Sequence, residues 1–179
     1  MKKRFKAGLL AFLMMLMLVI GITPASAAST GYSDVSSAYT ALNDFRTTRG
    51  VWYWNSNNVS RTVFNTNSSN KLGKLKRSTK LEKVAKTRAK EISVRFSHTR
   101  PNGQSCFTAY PNMNAKGENI ANGQNSVSEV MKNWKEEDKK YDGQGHRRNM
   151  LSKKFNAVGI ACYKASNGRK YWVQCFGKL

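Results

Sequence analysis

Residues 145–177 read GHRRNMLSKKFNAVGIACYKASNGRKYWVQCFG. Two strand-like apolar runs, 157–163 and 171–176, flank Asn167-Gly168. That dipeptide is the strongest short-range signal for a tight hairpin, because both residues tolerate positive φ. The stretch therefore predicts a short helix starting near His146, followed by two antiparallel strands. A two-residue turn sets Cys162 opposite Val173. Cys175 then lies diagonal to Cys162 on the same face, since side chains alternate along a strand. A bridge between those two thiols is open on this spacing. Pairing of Cys106 with either one is an equal alternative, and a buried unpaired thiol is expected for the third.

Working outward, three segments carry helical periodicity. Residues 33–49 place Val35, Ala38, Tyr39, Leu42 and Phe45 on one stripe, and Gly50 ends it. Thr79 and Glu82 form a capping box that opens a second helix, with Leu81, Val84, Ala85, Arg88, Ala89 and Ile92 on one face. Ser126 and Glu129 form another, and Val127, Val130, Met131 and Trp134 share one side of its helix. GENIA, residues 117–121, reads as a short extended segment, and the Asn- and Ser-rich stretch 51–70 as a strand-and-turn excursion over the surface. The pattern is α+β, with helices alternating with a small, mainly antiparallel sheet.

The chain opens on four basic residues, Lys2, Lys3, Arg4 and Lys6, then an apolar run, Pro24 and Ala25-Ser26-Ala27. This is the pattern of a secretory signal peptide cleaved after Ala27. The run is shorter than the roughly 20 residues a spanning helix needs. The expected organisation is a leader over 1–27 and one domain over 28–179, secreted and able to associate with the cell surface. The full chain carries 31 basic and 10 acidic residues, a formal charge of +21. Loss of the four leader cations leaves +17. Such an excess favours anionic cell-wall or membrane-surface material. Basic runs interleaved with aromatics are missing from the sequence, which argues against nucleic acid.

Several segments together carry a family resemblance: FSHTRPNGQSCFTAYP, GENIA, VMKNW, GHRRNML, VGIACY and YWVQCFG. In their order and spacing, from about residue 33 to 179, the chain resembles the CAP superfamily of cysteine-rich secretory, antigen and pathogenesis-related proteins, and is most similar to its bacterial secreted branch. The resemblance implies a three-layer α-β-α sandwich. It also implies a surface cleft with two histidines and two acidic residues. Zinc or another divalent ion binds there in some members; sterols, fatty acids or partner proteins bind others. Hydrolysis has been suggested for some, and no single chemistry unites the family.

Transferred onto this sequence, His98 and His146, the only two histidines, match the two imidazoles, and Glu118 matches the first carboxylate. Glu136 and Glu137 are candidates for the second. On a helix continuing past Trp134, about 100° per residue puts Glu137 at the edge of the apolar face and Glu136 roughly opposite. Glu137 is therefore the expected cleft member. Imidazole and carboxylate suit zinc with an open position for water, and His98 and His146 are the expected ligands. A metal-free site with Glu118 orienting a histidine as general base has the same composition. His98, Glu118 and His146 are the candidates for any catalytic role. Asn119 and Asn149 are expected to brace loops. Arg147 and Arg148 are expected to be solvated or anion-binding, and Arg100 to line the cleft mouth. Ser97, Ser105 and Cys106 lack the spacing of a nucleophilic triad. Three functional classes follow: a binding module for a small ligand, lipid or divalent ion; a metal-assisted hydrolase of peptide or wall material; and a cationic adhesin for anionic polymers.

Overall fold

The computed structural model describes residues 29–179, so the leader expected over 1–27 lies outside the described residues. In chain order the elements are β1 (Gly31–Tyr32), α1 (Ser36–Thr47), β2 (Trp52–Trp54), β3 (Arg61–Val63), β4 (Lys76–Arg77) and α2 (Thr79–Val94). There follow β5 (Lys116–Asn122), α3 (Val127–Lys135), α4 (Gly145–Leu151), β6 (Ala157–Lys164) and β7 (Lys170–Gly177). Strands β1, β6, β7 and β5 form an antiparallel path, and the two-residue β4 joins β6 in parallel. Strands β2 and β3 pair as a separate ribbon, the excursion expected over 51–70.

Alternation along the strands sorts the core into two layers. Val158, Ile160, Cys162, Trp172 and Phe176 face α1, α3 and α4. Ala157, Ala161, Tyr171, Val173 and Cys175 face α2. The fold is thus an α-β-α sandwich, as the resemblance implied. Gly159 lies on the α2 side. A Cβ there would sit 2.1 Å from the Leu81 carbonyl carbon and 2.2 Å from the Glu82 nitrogen, so its hydrogen lets the helix start rest on the sheet. The β6 edge between β1 and β4 leaves the Ile160 amide without a strand partner. It donates to the Tyr39 hydroxyl at 2.9 Å, and that hydroxyl donates to Glu82 at 2.6 Å. One aromatic stripe residue thereby satisfies a backbone donor that would otherwise be orphaned.

Local differences from expectation have local causes. α1 begins at Ser36 rather than 33. The α2 cap is Ser78, whose hydroxyl accepts from the Leu81 amide; Thr79 is the first helical residue, and Glu82 turns to Tyr39 and Arg77 instead of closing a box. At α3 the Ser126 cap stands as read, accepting from Glu129 at 3.2 Å, while the Glu129 carboxylate accepts from the Asn125 amide.

The hairpin register is the larger correction. Ala165 donates to the Arg169 carbonyl and Gly168 to the Ala165 carbonyl, with Gly168 at φ +80°. The loop therefore has three residues rather than two, with glycine at the left-handed position. Cys162 pairs with Trp172, not Val173. A one-residue slip exchanges faces, so Cys162 lies in the α1/α3/α4 layer and Cys175 in the α2 layer. The sheet separates them and excludes that bridge. All three cysteines are buried and free.

Candidate functional site

The first half of the site grows from an arginine on an apolar stripe. Arg88 lies on the sheet-facing side of α2, and its side chain has no exposure. A buried guanidinium needs carboxylate partners. Its Nε donates to Glu118 Oε2 at 2.7 Å and its Nη1 to Glu91 Oε2 at 2.6 Å; Nη2 donates to the Ser97 carbonyl at 2.7 Å. That last bond fixes the loop carrying His98. Glu118, on β5, is itself buried, and its Oε1 lies 2.8 Å from His98 Nδ1. Burial alone would raise the Glu118 carboxyl. Hydrogen bonds from His98 and Arg88 outweigh it and hold the carboxyl below its ordinary value. An ionised carboxylate only accepts, so Nδ1 of His98 is the donor, and in the neutral ring Nε2 keeps the lone pair.

The second half is built by a helix break. α3 ends at Lys135, and Glu136 adopts a left-handed conformation at φ +46°. The turn swings its carboxylate onto the start of α4. Oε2 accepts from the His146 amide at 3.0 Å and the Arg147 amide at 3.2 Å, while Oε1 lies 2.5 Å from His146 Nδ1. Glu136 therefore caps α4 and orients the imidazole together. Glu137 points elsewhere: its side chain is 66% exposed and sits 3.7 Å from Arg147. The expectation of Glu137 in the cleft assumes a helix continuing past Lys135, and it fails because the helix does not.

His98, Glu118, Glu136 and His146 line one concavity of about 390 Å³, with Asp142, Arg148 and Asn149 at its border. Asn119 and Asn149 brace it. Asn149 donates to Asn119 Oδ1 at 2.9 Å, and Asn119 donates to the His146 carbonyl at 3.1 Å and to Gln174 at 3.0 Å. Arg147 is not solvated. It is buried and donates to the carbonyls of Trp52 and Lys135, tying the β2–β3 ribbon to the α3 terminus. Arg100 pairs with Glu91, at 2.7 Å, and so extends the Arg88 network. The Ser97 hydroxyl accepts from the Thr99 amide and that of Ser105 from the Phe107 amide, both local turn bonds.

One further donor lies close. His98, Cys106 and Glu118 each bring a potential ligand atom within 4.8 Å of the others. The donor types suit zinc, but their state opposes it. Burial, and then the Glu118 charge, push the Cys106 thiol up to about 11, and a thiol binds metal as the thiolate. The Glu118 oxygens are already taken by Arg88 and His98. His146 is not part of that group; it shares the concavity with His98. Each ring is oriented through Nδ1 by a carboxylate, the arrangement that leaves Nε2 as the coordinating nitrogen.

Two members of the site escape sequence reasoning. Arg88 falls on the apolar stripe without a role, although an arginine on a core-facing stripe itself signals a buried carboxylate. Helix geometry disfavours Glu136, although the polar run EEDKK after Trp134 marks where an apolar stripe ends.

Residues 39–176 match the family model described as the cysteine-rich secretory protein family, CAP. The chain belongs to that family. Over 102 residues it is 28% identical to YkwD of Bacillus subtilis (strain 168), a match that covers 54% of this chain and 36% of that protein; the chain thus spans about a third of that relative's length. Among solved structures it is similar to an outer surface protein from Borrelia burgdorferi, with a TM-score of 0.58 and 19% identity over 84% of this chain and 98% of that one. It is also similar to NaASP2 with Zn2+, with a TM-score of 0.57 and 18% identity over 83% and 85% of the two chains. An extracellular SCP-domain protein from Bacillus anthracis matches at a TM-score of 0.50 and 23% identity, over 60% of this chain and 35% of that one. At these identities the structural likeness speaks for the fold alone.

Proposed function

We propose that this is an exported CAP-domain binding protein whose cleft takes a divalent ion, a lipid or another small ligand between His98 and His146, with no defined turnover. The observation that carries this reading is the shared pose of the two imidazoles. Each is held through Nδ1 by a carboxylate, Glu118 or Glu136, and both border one concavity. Zinc, when bound, would supply a Lewis-acidic centre held by the two Nε2 atoms, with water completing the shell. Glu118 and Glu136 act as orienting groups rather than ligands, because their oxygens are already engaged. The zinc-containing NaASP2 is a relative in fold that supports the choice of ion.

Export rests on the leader pattern of residues 1–27, and the extracellular Bacillus anthracis protein supports it. No helix among the described residues is long and apolar enough to cross a membrane. N-terminal sequencing of protein recovered from culture medium should begin at Ala28. An intact leader on a membrane-retained chain would overturn the export reading. Zinc calorimetry on histidine variants tests the cleft.

A further inference from the structure

Beside the histidine cleft lies a second concavity of about 800 Å³, between the β2–β3 ribbon, the end of α4 and the start of β5. It shares Arg148 and Asn149 with the cleft, so the two adjoin. Its lining holds four cations, Lys116, Arg148, Lys153 and Lys154, and no carboxylate. The larger groove along α3 is instead mixed in sign, with Glu129, Glu136, Glu137 and Asp138 beside Lys132, Lys135 and Lys139. None of the four cations is in an ion pair among the described residues. Arg148 donates to the Tyr141 carbonyl, and Lys153 reaches the Ser69 carbonyl at 3.3 Å; both keep their full charge unneutralised.

The rest of the lining narrows the partner. The Phe64 and Phe155 rings are buried, at 5% and 7% exposure, and the half-buried Tyr53 packs on Phe64 with ring centroids 5.5 Å apart, so the lining presents little free stacking face to a nucleobase. Base stacking on exposed aromatics is what single-stranded nucleic acid demands. Thr62, Asn149 and Ser152 add hydroxyl and amide groups between the cations. Spaced charge with intervening hydroxyl-binding groups and a shallow apolar floor matches a chain of phosphodiesters joined by short polyols. We propose that this groove binds a linear polyol-phosphate polymer and leads it past Arg148 to the histidine cleft. The assignment is independent of whether the histidines hold an ion.

The test must separate a groove from bulk charge. Lys153→Glu/Lys154→Glu reverses two groove cations. Lys83→Glu/Lys90→Glu reverses two exposed lysines on α2, across the sheet, and changes net charge equally. Binding to purified poly(glycerol phosphate) is measured by calorimetry at physiological salt for both and for the unmodified protein, with circular dichroism to confirm folding. The groove pair should weaken binding about tenfold, two exposed charge contacts being lost and made repulsive, while the α2 pair should change it less than about twofold. Inorganic phosphate should compete only weakly, since it offers one charge where the polymer offers a row. Equal losses from the two pairs would overturn the proposal in favour of net charge. No loss from the groove pair would also overturn it. Equal affinity for a single-stranded oligonucleotide, with the same groove dependence, would overturn the polyol-phosphate assignment.

Discussion

Arg88 joins the fold to the site, and its removal can be worked through. Its side chain is fully buried and Glu118 is 1% exposed at the side chain, so Arg88→Met strands a buried carboxylate. Breaking a buried pair from one side costs about 3–5 kcal/mol. With a urea slope of about 2 kcal/mol/M for a domain of this length, the unfolding midpoint should fall by about 2 M. Glu118→Gln should cost less, because the guanidinium keeps Glu91 and the Ser97 carbonyl. The double variant, with neither charge, should be less destabilised than the sum of the singles by about 2 kcal/mol. The pH dependence carries a definite sign. The Glu118 carboxyl is lowered in the folded protein, as are those of Glu82 and Glu91, so their contributions are complete above the ordinary carboxylate range and lost as pH falls through the folded values. In Arg88→Met, burial of Glu118 persists while the guanidinium is gone, so protonation relieves the variant. The stability gap between wild type and variant should therefore be widest at neutral pH and narrow on acidification. Urea titrations at pH 7 and pH 4 measure both quantities. A single-variant cost below about 1 kcal/mol, or strict additivity in the double variant, would refute the reasoning.

Two further outcomes follow from the packing. Gly159→Ala places a methyl against the α2 backbone at Leu81 and Glu82, with backbone rather than a flexible side chain in the way, and should cost more than the roughly 1–3 kcal/mol of ordinary overpacking in thermal unfolding. Cys106, Cys162 and Cys175 are buried and free, and burial raises all three thiols, so native protein should resist alkylation while denatured protein titrates three thiols without a reductant.

The sandwich is legible in the sequence because its elements advertise themselves by period. Leu81, Val84, Ala85 and Ile92 repeat on one helical face, and residues 157–163 and 171–176 read as strands at either side of a glycine turn. Less legible is anything that turns on a single residue. Asn167-Gly168 announces a turn but not its length, and one residue of loop moves Cys162 from Val173 to Trp172 and to the opposite layer from Cys175. Ser78 and Thr79 are adjacent hydroxyl residues, and only the backbone decides which one caps. Glu136 shows the limit most clearly. A non-glycine residue at positive φ is rare, so extrapolating helix geometry past Trp134 favours Glu137. The left-handed conformation is stabilised by what Glu136 then reaches, two α4 amides and His146, contacts ten and eleven residues away in sequence. The histidines and Glu118 are visible through family motifs. The geometry of Glu118 and His98 depends on Arg88, whose partner Glu118 lies 30 residues away.

The central claim is that His98 and His146 share one ion site oriented by Glu118 and Glu136. Calorimetric zinc titration of wild type, His98→Ala, His146→Ala, Glu136→Gln and Glu137→Gln tests it most directly. Each histidine variant should lose most of the affinity, because a two-imidazole site missing one anchor is already broken. Glu136→Gln should weaken binding about 10–100-fold through the loss of an orienting carboxylate, while Glu137→Gln should match wild type. Wild-type zinc binding by both histidine variants would contradict the claim, and a loss in Glu137→Gln with none in Glu136→Gln would contradict the geometry assigned to it.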